Sequence, residues 1–281
     1  MEIIYNFLDL PSFEFLSHDF MKNAFLAILL VSPIFGILGT MIVSNKMAFF
    51  SEALGHGAFT GIAIGSLAGF VSPTYGAVVF SLVFSIFITI FKHKSKVSTD
   101  TVIGVFSSTA IALGIFISTL GGKGFNKLSS YLIGDILSVT PSEILLLAII
   151  FVVVMVFWFG FYNKLLITSV NGSLARSRGI KTLMLEMLFT SLVAIVVTIS
   201  IPWVGLMVIN SMLVLPAAAS RNLAKNSSEY HRFAIIISII SGVLGLVLSY
   251  YLNSVTGATV VLISSIIFFM TFIVKSDRRK R

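Results

Sequence analysis

Nine long, nearly uncharged runs mark this 281-residue chain, at residues 22–43, 48–70, 74–91, 101–120, 143–162, 183–200, 204–220, 233–252 and 257–274. A helix needs about 20 mostly apolar residues to cross the hydrocarbon core of a bilayer. It can do so because its backbone finds every hydrogen bond within itself. Runs of this length and number point to one fold class: an all-α polytopic membrane protein with about nine transmembrane helices, read as a single transmembrane domain over residues 1–281. Composition agrees. The chain is 57% hydrophobic and 11% charged, whereas a soluble globular chain carries about 25% charged residues. It has no cysteine, which excludes disulfides, Cys-based zinc sites, haem attachment and iron–sulfur clusters.

The basic residues set the orientation. Sixteen of the nineteen Lys and Arg fall in one set of loops: Lys46, then Lys92, Lys94 and Lys96, then Lys164, Arg176, Arg178 and Lys181, then Arg221, Lys225 and Arg232, then Lys275 and Arg278 to Arg281. Lys22, Lys123 and Lys127 lie on the other side. Positive residues stay cytoplasmic, so an odd number of spans puts the C-terminus inside and the N-terminus outside. The net charge of +8 therefore belongs to cytoplasmic loops and does not indicate nucleic-acid binding. Residues 1–20 form an acidic leader with Glu2, Asp9, Glu14 and Asp19. Without a positive n-region or a small-residue cleavage site it does not resemble a signal peptide, and it is read as an external interfacial segment.

The second run holds the chemistry. Glu52 and His56 are four residues apart, on one face of a helix, with Thr60 a turn further along the same row. An ionisable group in a membrane segment costs roughly 2.5–3.5 kcal/mol on insertion scales and usually faces a bundle interior or a wet path. A carboxylate and an imidazole on one stripe can hold a divalent cation. Two readings stay open for the residues alone: a path-lining pair, or a helix-end pair snorkelling to the cytoplasmic interface. Beside this row run Gly57, Gly61, Gly65 and Gly69, with Ala53 flanking. Small residues at this spacing let helices approach closely, and packing is the expected role.

Four other segments carry weaker signals. Asp135 is a lone carboxylate in the external stretch Tyr131–Pro141, a candidate for a re-entrant turn or a solvated loop. The cytoplasmic loop 163–181 contains a short helix pattern, with Asn171 or Ser173 as cap and Gly179 as terminator. In the seventh run Pro216 can open the helix ladder near Asn210 and Ser211. In the first, Ser32-Pro33 with Gly36 and Gly39 gives a similar kink signal. His18, His93 and His231 read as surface residues. There is no GxxxxGK[ST] loop, no HExxH and no GxSxG. The chain therefore cannot bind ATP in the P-loop manner, and it shows no motif of an intramembrane enzyme.

Several blocks together resemble the zinc/manganese/iron permeases of bacterial ABC importers. These are Ser51-Glu-Ala-Leu-Gly-His-Gly-Ala-Phe-Thr-Gly61, Asp100-Thr-Val-Ile-Gly104, Tyr131-Leu-Ile-Gly-Asp-Ile-Leu-Ser-Val-Thr-Pro141, Ala175-Arg-Ser-Arg-Gly179, and Val204-Gly205 through Leu215-Pro-Ala-Ala-Ala219. They occur in the family's order over nearly the whole chain. Two positions depart from the pattern: the family more often has Asp where Glu52 stands, and Asp or Pro where Asn171-Gly172 stands.

The resemblance implies a type II ABC importer permease in the bacterial inner membrane. Such a subunit dimerises around a central path and takes a metal from an extracytoplasmic binding lipoprotein. Separate cytoplasmic ATPases drive its alternating access. The substrate would be Zn²⁺ or Mn²⁺, with Fe²⁺ a further candidate, and no cofactor would be held permanently. Glu52 and His56 would line the transit path, with Asp135 near the external mouth. Leu174, Ala175, Arg176 and Gly179 would contact the ATPase from the coupling loop. The competing class is a stand-alone ion-coupled carrier or channel for cations, which inverted repeats would favour. No convincing repeat is visible.

Overall fold

The computed structural model describes Leu16 and residues 18–69, 73–120 and 134–280. Among the described residues ten α-helices follow in order: α1 Asp19–Ser44, α2 Phe50–Leu67, α3 Pro73–Lys94, α4 Thr99–Leu120, α5 Pro141–Val170, α6 Gly172–Ser177, α7 Thr182–Val204, α8 Leu206–Leu223, α9 Ser227–Leu252 and α10 Thr256–Lys280. A 3₁₀ turn, Ile136–Ser138, precedes α5. No strand occurs among the described residues. Most of the leader, the loop bearing Lys123 and Lys127, and Arg281 lie outside the described residues.

All helices except α6 have at least 18 residues, matching the nine runs, and eight of them are long and apolar enough to cross a membrane. The other is α2, whose sequence carries Glu52, His56 and four glycines. The polar pair and the Cβ-less positions lower its apolarity, and packing against other helices compensates.

Several boundaries move from the sequence reading. The fifth run was expected to end at 162, but α5 continues to Val170 and takes up the first part of the 163–181 loop. Pro202 sits inside the last turn of α7, and the break before α8 comes at Gly205, at φ +82°. That conformation is accessible to glycine at little cost. Asn253 ends α9 in the left-handed conformation that Asn tolerates. The Ser249 and Thr256 hydroxyls lie 2.9 Å apart across the same turn.

The chain packs as two compact units. The first takes the described parts of Met1–Thr40, Ile133–Val156 and Trp203–Arg281; the second takes Met41–Leu132 and Phe157–Pro202. In the first unit α8, α9 and α10 pack together. Glycines set the spacing of α1 there. A Cβ on Gly36 would stand 2.9 Å from Ala234 O and from Ile235 Cα of α9, and one on Gly39 would collide with the Leu213 carbonyl of α8. The Ser238 hydroxyl donates to Ser32 O at 2.7 Å, next to Pro33, which lies inside α1.

His231, expected at the surface, is 7% exposed in the first turn of α9. Thr40 Oγ1 donates to Ile37 O at 2.6 Å, so it accepts from His231 Nδ1 at 2.7 Å. This pair of bonds makes the Nδ1–H imidazole the tautomer that satisfies the site. The surrounding residues supply the partner that a buried imidazole requires.

The second unit is organised on α2, which packs against α3 and α4. Gly61 meets Gly76 where α2 crosses α3. A Cβ on either glycine would lie 2.5 Å from the other's carbonyl oxygen. Phe80, Phe84, Phe91 and Phe106 form a chain of ring contacts between α3 and α4, with centroids 5.3–5.7 Å apart. The turn into α2 is tightly determined. Lys46 takes φ +55°, Asn45 Nδ2 donates to Met41 O at 2.8 Å, and Met47 is fully buried.

Candidate functional site

Helix α2 has two sides. Gly57, Gly61, Ala58 and Gly65 are buried. Gly57 faces the Phe84 ring and Gly61 the Gly76 backbone. Thr60 belongs to the packed side too: its hydroxyl is fully buried and donates to Ala110 O of α4 at 2.5 Å. It is therefore a helix–helix tie, although the sequence places it in the polar row. Gly69 has another setting. It lies past the end of α2 at φ +72°, with no neighbour among the described residues within 4 Å of a Cβ.

The opposite stripe is open and carries Phe49, Glu52, His56 and Phe59. Glu52 Oε1 and His56 Nε2 stand 3.9 Å apart, with the carboxylate side chain 44% and the imidazole 20% exposed. That separation is too long for a hydrogen bond. Bonds of about 2.0–2.2 Å to a shared cation would span it only at an angle wider than tetrahedral, so the two side chains would have to draw a few tenths of an ångström closer to hold one. No group of three His, Cys, Asp or Glu able to hold a metal occurs among the described residues. The pair thus offers two ligands and leaves the remaining coordination positions to water or to groups from elsewhere.

Asp135 belongs to the first unit. It is exposed, accepts from Leu137 N at 3.1 Å, and so caps the 3₁₀ turn, while Ser138 Oγ donates to its carbonyl at 2.7 Å. Backbone contact fixes the segment: Gly134, at φ +68°, lies so close to Val204 and Gly205 that a Cβ would collide. Asn23 Nδ2 donates to Val139 O at 3.1 Å. Asp135 lines a cavity of about 370 Å³ within that unit, together with Ser32, Trp203, Val208, Met212 and Val260. The Ser32 hydroxyl in its wall has no hydrogen-bond partner among the described residues.

The coupling-loop candidates form α6. Asn171 is the cap, accepting from Ser173 N and Leu174 N at 3.0 Å each. Gly179 reverses the chain at φ +75°. Ala175 is fully buried, whereas Leu174 is 45% exposed and Arg176 and Arg178 are exposed. The helix therefore presents an apolar knob flanked by guanidinium groups, with its alanine turned inward.

A second polar cluster was not anticipated from the sequence. Glu186, one turn into α7, pairs with Lys92 of α3 through Oε1 and with His93 Nδ1 through Oε2 at 3.2 Å. Lys92 Nζ also reaches Met47 Sδ at 3.4 Å. The side chains of Lys92 and Glu186 are only 16% and 11% exposed, whereas His93 stays exposed, as the sequence suggested, and adds a contact to Glu186 from the rim of the cluster. A lone carboxylate near the start of an otherwise apolar run is the signal that could have found it.

Comparison with known proteins places this arrangement. The model of the ABC 3 transport family matches residues 17–275. The chain is 30% identical over 248 residues to the high-affinity zinc uptake system membrane protein ZnuB of Haemophilus influenzae, covering 88% of this chain and 95% of that protein. It is 28% identical over 258 residues to the manganese transport system membrane protein MntC of Listeria monocytogenes, covering 92% and 91%. Among solved structures, PsaBC from Streptococcus pneumoniae in complex with Fab superposes with a TM-score of 0.78 at 28% identity, over 97% of this chain and 95% of that one. An all-helical architecture of membrane-crossing helices, shared with these transport proteins over nearly its full length, makes this chain a multi-pass membrane protein of the ABC 3 transport family.

Proposed function

We propose that the chain is the membrane-spanning permease subunit of an ABC importer that moves a divalent transition metal, Zn²⁺, Mn²⁺ or Fe²⁺, into the cytoplasm by alternating access. The carrying observation is the Glu52–His56 pair: two donors 3.9 Å apart on the open stripe of a helix whose other side is tightly packed. The relatives' names support the substrate class, since they are zinc and manganese transport proteins. Transit favours an incomplete ligand set. A pair completed by water holds a metal weakly enough to pass it on, whereas three or four protein ligands would trap it.

The remaining parts of the reading follow. The sequence carries no P-loop, so energy comes from separate cytoplasmic ATPase subunits, which meet the knob and arginines of α6. The permease works as a homodimer, receives metal from an extracytoplasmic binding lipoprotein, and keeps no cofactor. The basic-residue distribution supports an inner-membrane orientation with the N-terminus outside and the C-terminus cytoplasmic. Asp135 lies near the external mouth, where a carboxylate attracts cations. The chain works as one transmembrane domain.

The test is metal accumulation in cells carrying Glu52→Ala or His56→Ala, with membrane levels of the chain measured in parallel. Each variant should lose uptake and keep its level. Normal uptake by both would sink the site. The competing reading, a stand-alone carrier, requires the purified chain alone in liposomes to pass metal down a gradient. Transport that appears only with the ATPase excludes it.

A further inference from the structure

The Lys92–Glu186–His93 cluster lies on none of the open stripe of α2, the cavity under Asp135 or the exposed face of α6, and its position calls for a physical reason. Three segments of the second unit meet at it. Glu186 stands one turn inside α7, just after the α6 segment. Lys92 and His93 form the last turn of α3. Met47 closes the turn that starts α2, whose Phe50 N–H donates to Met47 O at 3.0 Å. Lys92 thus touches both the α7 carboxylate and the sulfur at the root of the helix bearing Glu52 and His56. One turn deeper, the Thr89 and Thr190 hydroxyls lie 2.9 Å apart, both fully buried, and continue the polar seam between α3 and α7.

Stability alone is a poor reason for such a cluster. Removing two charges from water costs as much as their attraction returns, and well-packed apolar residues of similar volume serve as well or better. Directional contacts, however, fix the relative register of elements in a way that apolar surfaces do not. The turn they hold is itself unusual. Lys46 keeps a left-handed backbone without being glycine, a conformation that persists only where the surroundings impose it.

We infer that Glu186 and Lys92 are positioning residues that link the α6–α7 segment to the root of α2. Displacement of α6 then moves the Glu52–His56 stripe together with α7. Glu186 is the shared acceptor, His93 holds its second oxygen, and the Lys92 ammonium bridges to Met47. The inference rests on the proposed role of α6 as the ATPase contact.

The experiment uses the complete importer in membranes, with Zn²⁺ and Mn²⁺ salts as probes and ATP hydrolysis measured alongside uptake. A wild-type importer that takes up neither metal would defeat the underlying reading, independently of the link. Given wild-type uptake, Lys92→Met combined with Glu186→Met removes the pair without leaving one charge buried. This variant should hydrolyse ATP at close to the wild-type rate while uptake falls about tenfold or more, and Lys92→Glu with Glu186→Lys should recover a large part of it. Wild-type uptake by the Met pair, or ATP hydrolysis falling in step with uptake, overturns the link.

A second readout uses the chain's lack of cysteine. Phe49, at the N-cap of α2, is 56% exposed, so Phe49→Cys gives a single thiol. Its labelling rate should change with ATP and vanadate in the otherwise native chain and stay constant in the Met pair. A retained change overturns the proposal. If neither paired variant reaches wild-type membrane levels, the cluster is a folding requirement, and that also overturns it.

Discussion

Gly61→Ala should damage this protein more than Gly57→Ala or Gly104→Ala, and the structure gives the size. The added Cβ would stand 2.5 Å from Gly76 O, 2.7 Å from Ala77 Cα and 2.8 Å from Phe80 Cβ, where ordinary contact begins at 3.4 Å. Two of the three partners are backbone atoms of α3, so no rotamer change relieves them. The helices must separate by roughly 0.8 Å, and a gap of that order forfeits a quarter to a half of the dispersion well for each facing atom. Overpacking of this kind costs about 1–3 kcal/mol, and rigid partners put Gly61 in the upper part of that range, about 2–3 kcal/mol.

Gly57→Ala meets only the Phe84 ring, at 3.0 Å, and a ring can shift, so about 1 kcal/mol is expected. Gly104→Ala meets nothing within 4 Å and should be neutral or slightly stabilising, because alanine is the better helix former. Thermal unfolding of the purified chain in detergent would read the series. For a chain of this size the Gly61 variant should melt about 3–5 °C below the parent. Spin labels on cysteines at Leu67 and Val79, both more than half exposed, should report the widened α2–α3 spacing. A Gly61 variant that melts with the parent and keeps the parent spacing, or one that costs less than Gly57→Ala, would refute the reasoning.

Two further outcomes are expected. Asn171→Ala removes both side-chain bonds that start α6, which should weaken that helix by about 1 kcal/mol. Amide exchange at Ser173 and Leu174 should accelerate, and unchanged exchange would count against the cap. Thr40→Val takes away the acceptor of His231 Nδ1 in a buried setting and should cost about 1–3 kcal/mol. Adding His231→Phe should recover part of that loss, since an apolar pair leaves no polar atom unsatisfied. Thermal stability of the single and double variants decides it, and a double variant worse than the sum of the singles would contradict the pairing.

Much of the candidate site was legible because it depends on local spacing. Four residues separate Glu52 from His56, and a helix puts them on one face wherever it packs. The same periodicity marked Gly57, Gly61 and Gly65 as a close-packing row, and capping chemistry marked Asn171 and Gly179 as the residues bracketing α6. Thr60 shows where periodicity stops informing. It shares the face spacing of Glu52 and His56, yet its hydroxyl turns to an α4 carbonyl, because a single turn of helical drift is enough to move a residue from an open stripe to a packed one. Glu186 was missed for a related reason. Its partners Lys92 and His93 are 94 and 93 residues away in sequence, and no local pattern links a lone carboxylate to a distant pair of basic groups.

The sequence by itself determined the class of molecule. Long apolar runs admit only helices in a bilayer. That is a property of the chain and its solvent and needs no knowledge of packing. Only the tertiary structure decided how the polar residues divide. Glu52 and His56 stay on the open side of α2, Thr60 and the glycines close the other, His231 is buried against Thr40, and Lys92, His93 and Glu186 converge where three helix ends meet. Those assignments depend on which helix approaches which face, and that is set by backbone contacts such as Gly61 on Gly76, between segments whose meeting is not written in either one alone.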